Sequence, residues 1–84
     1  MLIGVPKEIK NHEYRVGLTP TAVREAVLHG HNAVVETNAG TAIGLMDKDY
    51  RAAGAVIANT ASDVFSEADM VVKVKEPQAS EIAI

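Results

Sequence analysis

The 84-residue chain contains no cysteine and no tryptophan, and its aromatic side chains are limited to Tyr14, Tyr50 and Phe65. Without thiols there is no disulfide, no thiolate-bound metal and no cysteine nucleophile within it. The shortage of aromatics leaves a core to be built from Val, Ile, Leu and Ala, as in parallel α/β sheets covered on both faces. Positive charge is not in excess either. Eight basic residues against 11 acidic ones leave a net charge of −3, which gives no support to nucleic acid or an anionic membrane surface as a partner. No apolar run approaches the ~20 residues that cross a bilayer. The opening MLIGVPKEIK lacks the basic-then-apolar order of a secretion signal, so the expected location is the cytoplasm.

What is present is the composition of a soluble globular domain, 48% hydrophobic and 23% charged. A chain of this size buries only about 60–65% of its unfolded surface, which makes it a marginal unit alone. LIGV (2–5) is a short apolar strand stopped by Pro6. Thr19 is a helix cap with Pro20 at the first helical position, where its missing N–H is harmless. Val23, Ala26 and Val27 then line one helical face, and Gly30 is the stop. NAVVE (32–36) is a second strand, followed by the loop TNAGTAIGL. Asp47 is placed to cap a short helix, KDYRAAG, that ends at Gly54. AVIA (55–58) is a third strand, Thr60 or Ser62 opens a brief helix, and DMVVKVK (69–75) is a fourth strand. Alternating strands and helices with short links predict right-handed crossovers and a parallel sheet. The chain stops at ASEIAI in mid-element, and residues 1–84 are expected to be the front of a longer α/β fold.

In an open parallel sheet, ligands sit beyond the carboxyl ends of the strands. That rule singles out the stretch from Pro6 to Arg15 and the end of the fourth strand, Lys75-Glu76-Pro77. An Arg and a Lys meeting at that edge would suit a carboxylate: the guanidinium grips both oxygens and the ammonium adds a compact charge. Taken alone, Arg15 is better explained as a solvated arginine or one paired with Glu8 or Glu13. Lys73 and Lys75 leave their strand by the same face, but Lys73 lies deeper and is expected to pair with an acid or to snorkel. Lys7 and Lys10 are most simply solvated. AGTAIG (39–44) is not a dinucleotide fingerprint, because Ala42 stands where glycine is required and no helix follows directly. His12, His29 and His31 have no carboxylate cluster beside them, and His29 and His31 flank the helix stop as exposed residues.

GVPKEIKNHEYRVGLTP (4–20) and VVKVKEP (71–77), in that order and separation, resemble the N-terminal segment of the family of bacterial alanine dehydrogenases. The likeness extends more distantly to the α subunit of proton-translocating nicotinamide nucleotide transhydrogenase. It runs through HGH (29–31), ETNAG (36–40) and DKDYRAAGA (47–55). The resemblance implies a flavodoxin- or Rossmann-like substrate domain, here incomplete and occupying residues 1–84, with the NAD-binding domain outside this chain. It implies reversible, NAD-linked oxidative deamination of L-alanine to pyruvate and ammonia, by a homohexamer with no nucleic-acid or membrane partner. Carried over by motif, Arg15 and Lys75 bind the substrate, with Lys75 also polarising it during catalysis. The family's catalytic histidine, its acidic partner and its cofactor site would lie beyond Ile84, and no metal is implied. The family's usual GxGxGFxD loop reads GTAIGLMD here, which leaves the conformation of residues 38–46 open. Retention of Lys75-Glu76 favours the dehydrogenase over the transhydrogenase α subunit. A free-standing α/β module that binds a small carboxylate without catalysis is the reading from outside the enzyme class.

Overall fold

A computed structural model of the chain describes residues 1–8 and 16–73. Four strands, β1 (Leu2–Val5), β2 (Asn32–Glu36), β3 (Val56–Ala58) and β4 (Met70–Val71), form one sheet in the order β3-β2-β1-β4. All three pairings are parallel. The expected parallel α/β architecture is the one observed, with the chain stepping from β1 to β2 to β3 and then crossing back to lay β4 on the other side of β1.

Helix α1 (Pro20–Leu28) begins where Thr19 was expected to cap it, the hydroxyl accepting the Ala22 N–H at 3.3 Å. It ends in a complete Schellman motif: His31 N–H donates to the Ala26 carbonyl and Gly30 N–H to the Val27 carbonyl. Gly30 makes this possible by adopting φ +90, a conformation glycine reaches without a Cβ penalty. Helix α2 (Asp47–Ala52) differs from expectation. Its cap position is Met46, whose N–H donates to the Asp49 carboxylate at 2.9 Å. Asp47 is the first helical residue and turns its carboxylate back toward the β2–α2 loop. Helix α3 (Ala61–Glu67) is capped by Thr60, which accepts the Asp63 N–H at 3.1 Å.

The alternation of β1 assigns its two faces. Val5, with Ala33 and Val35 of β2, joins Val23, Tyr50 and Ala53 from α1 and α2 in the buried core. Gly4 points the other way. A Cβ there would lie 2.6 Å from the Ala68 Cβ and 2.8 Å from a Val64 methyl, so the missing side chain is what lets α3 pack close to β1. Tyr50 anchors the first face: its ring is fully buried and its hydroxyl donates to the Leu18 carbonyl at 2.7 Å. Desolvation pushes its pKa up to about 12. β4 is shorter than the expected 69–75. Its ladder joins Ile3 to Met70 and Gly4 to Val71, Val72 and Lys73 continue without strand assignment, and 74–75 fall outside the described residues.

Candidate functional site

The strand order locates the candidate edge. The chain leaves β1 for β2 on one side and returns from β3 to β4 on the other, so the topological switch point lies between β1 and β4. In open α/β sheets the crevice beyond the carboxyl ends at such a point is where ligands bind. The chain leaves β1 at Pro6 and β4 at Val72 on that side of the sheet. Of the two stretches singled out from the sequence, residues 6–8 are described and Lys75-Glu76-Pro77 lie outside the described residues.

At that edge the backbone ladder gives way to side chains. Val72 N–H donates to the Gly4 carbonyl at 2.9 Å. In this register the next link would run from the N–H of residue 6 to the Val72 carbonyl, and Pro6 has no N–H to give. Gly17 comes against that carbonyl instead. A Cβ on Gly17 would stand 2.3 Å from the Val72 oxygen and 3.3 Å from the Lys73 nitrogen, so only glycine admits this approach. One step farther out, the Lys73 Nζ lies 3.5 Å from Glu8 Oε1, with the two side chains only 7% and 2% exposed. The acid partner expected for Lys73 is therefore Glu8, and each of the two also takes part in a further interaction.

Arg15 and Lys75 themselves lie outside the described residues. Val16, which follows Arg15, is described, and Gly17 comes against Val72 and Lys73, three and two residues before Lys75. Lys7 is exposed as expected, while its backbone N–H donates to Glu36 Oε1 at 2.8 Å, fastening the end of β1 to the end of β2. His29 is exposed, with Nδ1 2.8 Å from the Glu25 carbonyl. His31 corrects the expectation, being half-buried, because the Schellman turn folds it back toward the sheet. His12 lies outside the described residues.

The β2–α2 loop does not make a dinucleotide cradle. Thr41–Ile43 form a 3-10 turn closed by Gly44 at φ +83, and the chain reaches α2 only three residues after Gly44. Asp47 stabilises this loop. Its carboxylate accepts the Thr37 hydroxyl at 2.6 Å and the Asn38 N–H at 2.9 Å, and these bonds, the Thr37 one first, hold its pKa below the usual carboxylate value. Asn38 sits at φ 65, where asparagine is better tolerated than most side chains. Among the described residues no three His, Asp or Glu side chains gather as a metal site would require, and no helix is long and apolar enough to cross a membrane.

Residues 4–84 match the family model described as "Alanine dehydrogenase/PNT, N-terminal domain". The alanine dehydrogenase of Halomonas elongata is 51% identical over 83 residues, covering 99% of this chain and 22% of the relative. A solved L-alanine dehydrogenase superposes with a TM-score of 0.95 at 53% identity, over 99% of this chain and 23% of that one. The crystal structure of transhydrogenase from Sinorhizobium meliloti superposes with a TM-score of 0.90 at 34% identity, over 99% of this chain and 24% of that one. The chain thus spans less than a quarter of these longer proteins. A parallel sheet with its switch point between β1 and β4, carrying this sequence over essentially its whole length, makes the chain a member of the alanine dehydrogenase/PNT N-terminal domain family.

Proposed function

We propose that this segment is the substrate-binding front of an NAD-dependent alanine dehydrogenase, with Arg15 and Lys75 holding the carboxylate and the keto or imino group of pyruvate and alanine. The observation that carries the reading is the Gly17–Val72 contact at the switch point. It brings the chain two residues after Arg15 against the chain three residues before Lys75. The higher identity to L-alanine dehydrogenase, 53% against 34% for the transhydrogenase, supports the dehydrogenase over its relative.

In this reading the Arg15 guanidinium makes two parallel N–H bonds to the substrate carboxylate, which fixes the direction of the α-carbon hydrogen. The Lys75 ammonium stands beside the carbon whose oxygen or nitrogen gains charge, an interaction stronger in the transition state than in the ground state. Hydride acceptance is the chemistry of the nicotinamide. In this reading, as the kinship to alanine dehydrogenases implies, NAD and the proton-transferring histidine belong to parts of the enzyme outside this chain. Residues 1–84 are then part of a substrate domain, inactive alone. The same kinship makes a cytoplasmic homohexamer part of the proposal.

The test uses the full-length enzyme. Arg15→Ala and Lys75→Ala are each expected to lower alanine oxidation by about 100-fold or more, with NADH affinity, read by fluorescence, unchanged. Wild-type turnover in Lys75→Ala overturns the site assignment. Hydride transfer between two nucleotides without alanine turnover would mark the transhydrogenase instead.

A further inference from the structure

The geometry points to the Glu8–Lys73 ion pair as a positioning brace for the substrate-binding edge. It rests on the proposed role of Arg15 and Lys75, and extends it to two residues that are not themselves assigned contact with substrate.

Burying an ion pair is costly. Each charge loses several kcal/mol of hydration, and a well-packed apolar pair is often as stable or more so. With side chains only 7% and 2% exposed, Lys73 and Glu8 meet this cost nearly in full. Their location gives the pair a use. β4 is held to β1 by a two-residue ladder and the Val72 N–H bond to Gly4, and Pro6 then removes the next donor. Beyond that missing rung the two strands would be free to splay at their carboxyl ends. Glu8 is on the chain leaving β1 and Lys73 on the chain leaving β4, so a 3.5 Å contact between them closes the gap.

The brace also lies on the two routes to the proposed clamp. Lys73 precedes Lys75 by two residues of chain, and Glu8 begins the segment that leads to Arg15. A buried charge pair is strongly penalised when its partners separate, whereas an apolar contact can slide, so the pair holds Glu8 and Lys73 close together. Displacement of a positioned group by about 1 Å can cost on the order of 100-fold in rate, so a loosened brace would be visible in catalysis without touching substrate.

The experiment compares Glu8→Gln, Lys73→Met and the double variant Glu8→Gln/Lys73→Met in the full-length enzyme, with Arg15→Ala in parallel. The double variant removes both charges of the pair, so neither is left buried without the other, and it keeps the test open if a single variant fails to fold. The expected result is a rise in KM for pyruvate and alanine of about tenfold or more, with NADH affinity unchanged. The double variant should resemble one single variant instead of the product of two, since both changes break the same contact. A purely structural pair would lower thermal stability and the active fraction but leave KM alone in the folded enzyme. That outcome, with Arg15→Ala still defective, overturns the brace and spares the clamp. An Arg15→Ala enzyme with normal KM overturns the clamp itself.

Discussion

Replacing Gly17 with alanine tests the close approach on which the proposed site rests. Gly17 shows no left-handed φ, so the substitution carries no backbone strain of its own and acts through its Cβ. That carbon would lie 2.3 Å from the Val72 oxygen, 2.9 Å from the Val72 carbonyl carbon and 3.3 Å from the Lys73 nitrogen. All three are backbone atoms, which cannot swing aside as the tip of a long side chain would. Relief requires moving either the 16–18 segment or the 72–73 segment by about 1 Å to restore ordinary contact distance. Overpacking of this kind costs about 1–3 kcal/mol, a sizeable part of the stability of a small domain. Since the displaced segments adjoin Arg15 and Lys75, Gly17→Ala should lower the urea midpoint and raise KM for pyruvate together. Gly44→Ala supplies the contrast. Its φ is +83 and nothing stands within 4 Å of a Cβ there, so it should cost about 1 kcal/mol of stability through backbone strain alone, with KM unchanged. A Gly17→Ala enzyme with wild-type midpoint and wild-type KM would refute the reasoning.

Tyr50→Phe removes the donor to the part-buried Leu18 carbonyl and should destabilise by about 0.5–1.5 kcal/mol in urea unfolding. Because burial raises the Tyr50 pKa from its ordinary value of 10.0 to about 12, the folded state holds a proton that the unfolded chain has lost. Wild-type stability should therefore fall as pH rises from about 10 to about 12, and Tyr50→Phe should lack that decline in melting curves. Asp47 has the opposite sign: its lowered pKa, due first to the Thr37 hydroxyl, favours folding above the unfolded carboxylate range and is lost as pH falls through it. Asp47→Asn should flatten the acid limb of stability, and NMR titration of the Asp47 carboxylate should show a midpoint below 3.8.

Local rules carried much of the fold. The cap at Thr19, the first-turn Pro20 and the stop at Gly30 each act within a few residues, and all three are found where the sequence places them. The same holds for β1 and β2, whose bounds match the apolar runs LIGV and NAVVE. Asp47 was misplaced because two competing partners for its carboxylate, Thr37 and Asn38, are brought near only when the loop folds. The half-burial of His31 follows from the turn geometry at Gly30, which returns the chain to the sheet. At the candidate site, alternation and topology point to the edge, and they leave Lys73 either to pair with an acid or to snorkel; the choice of Glu8 needs the fold.

By itself, the sequence determined the strand–helix alternation, hence the parallel sheet, and which strand ends carry the residues proposed to bind a ligand. These follow from periodicity, caps and glycines, which act over a few residues. Only the tertiary structure decided that β4 lies beside β1, that Glu8 is the partner of Lys73, and that Gly17 rests on Val72. Those contacts join residues more than fifty positions apart in the chain. No local propensity encodes them. They arise because the crossover after β3 carries the chain back past β1, and because Pro6 leaves a rung that side chains and a glycine must replace.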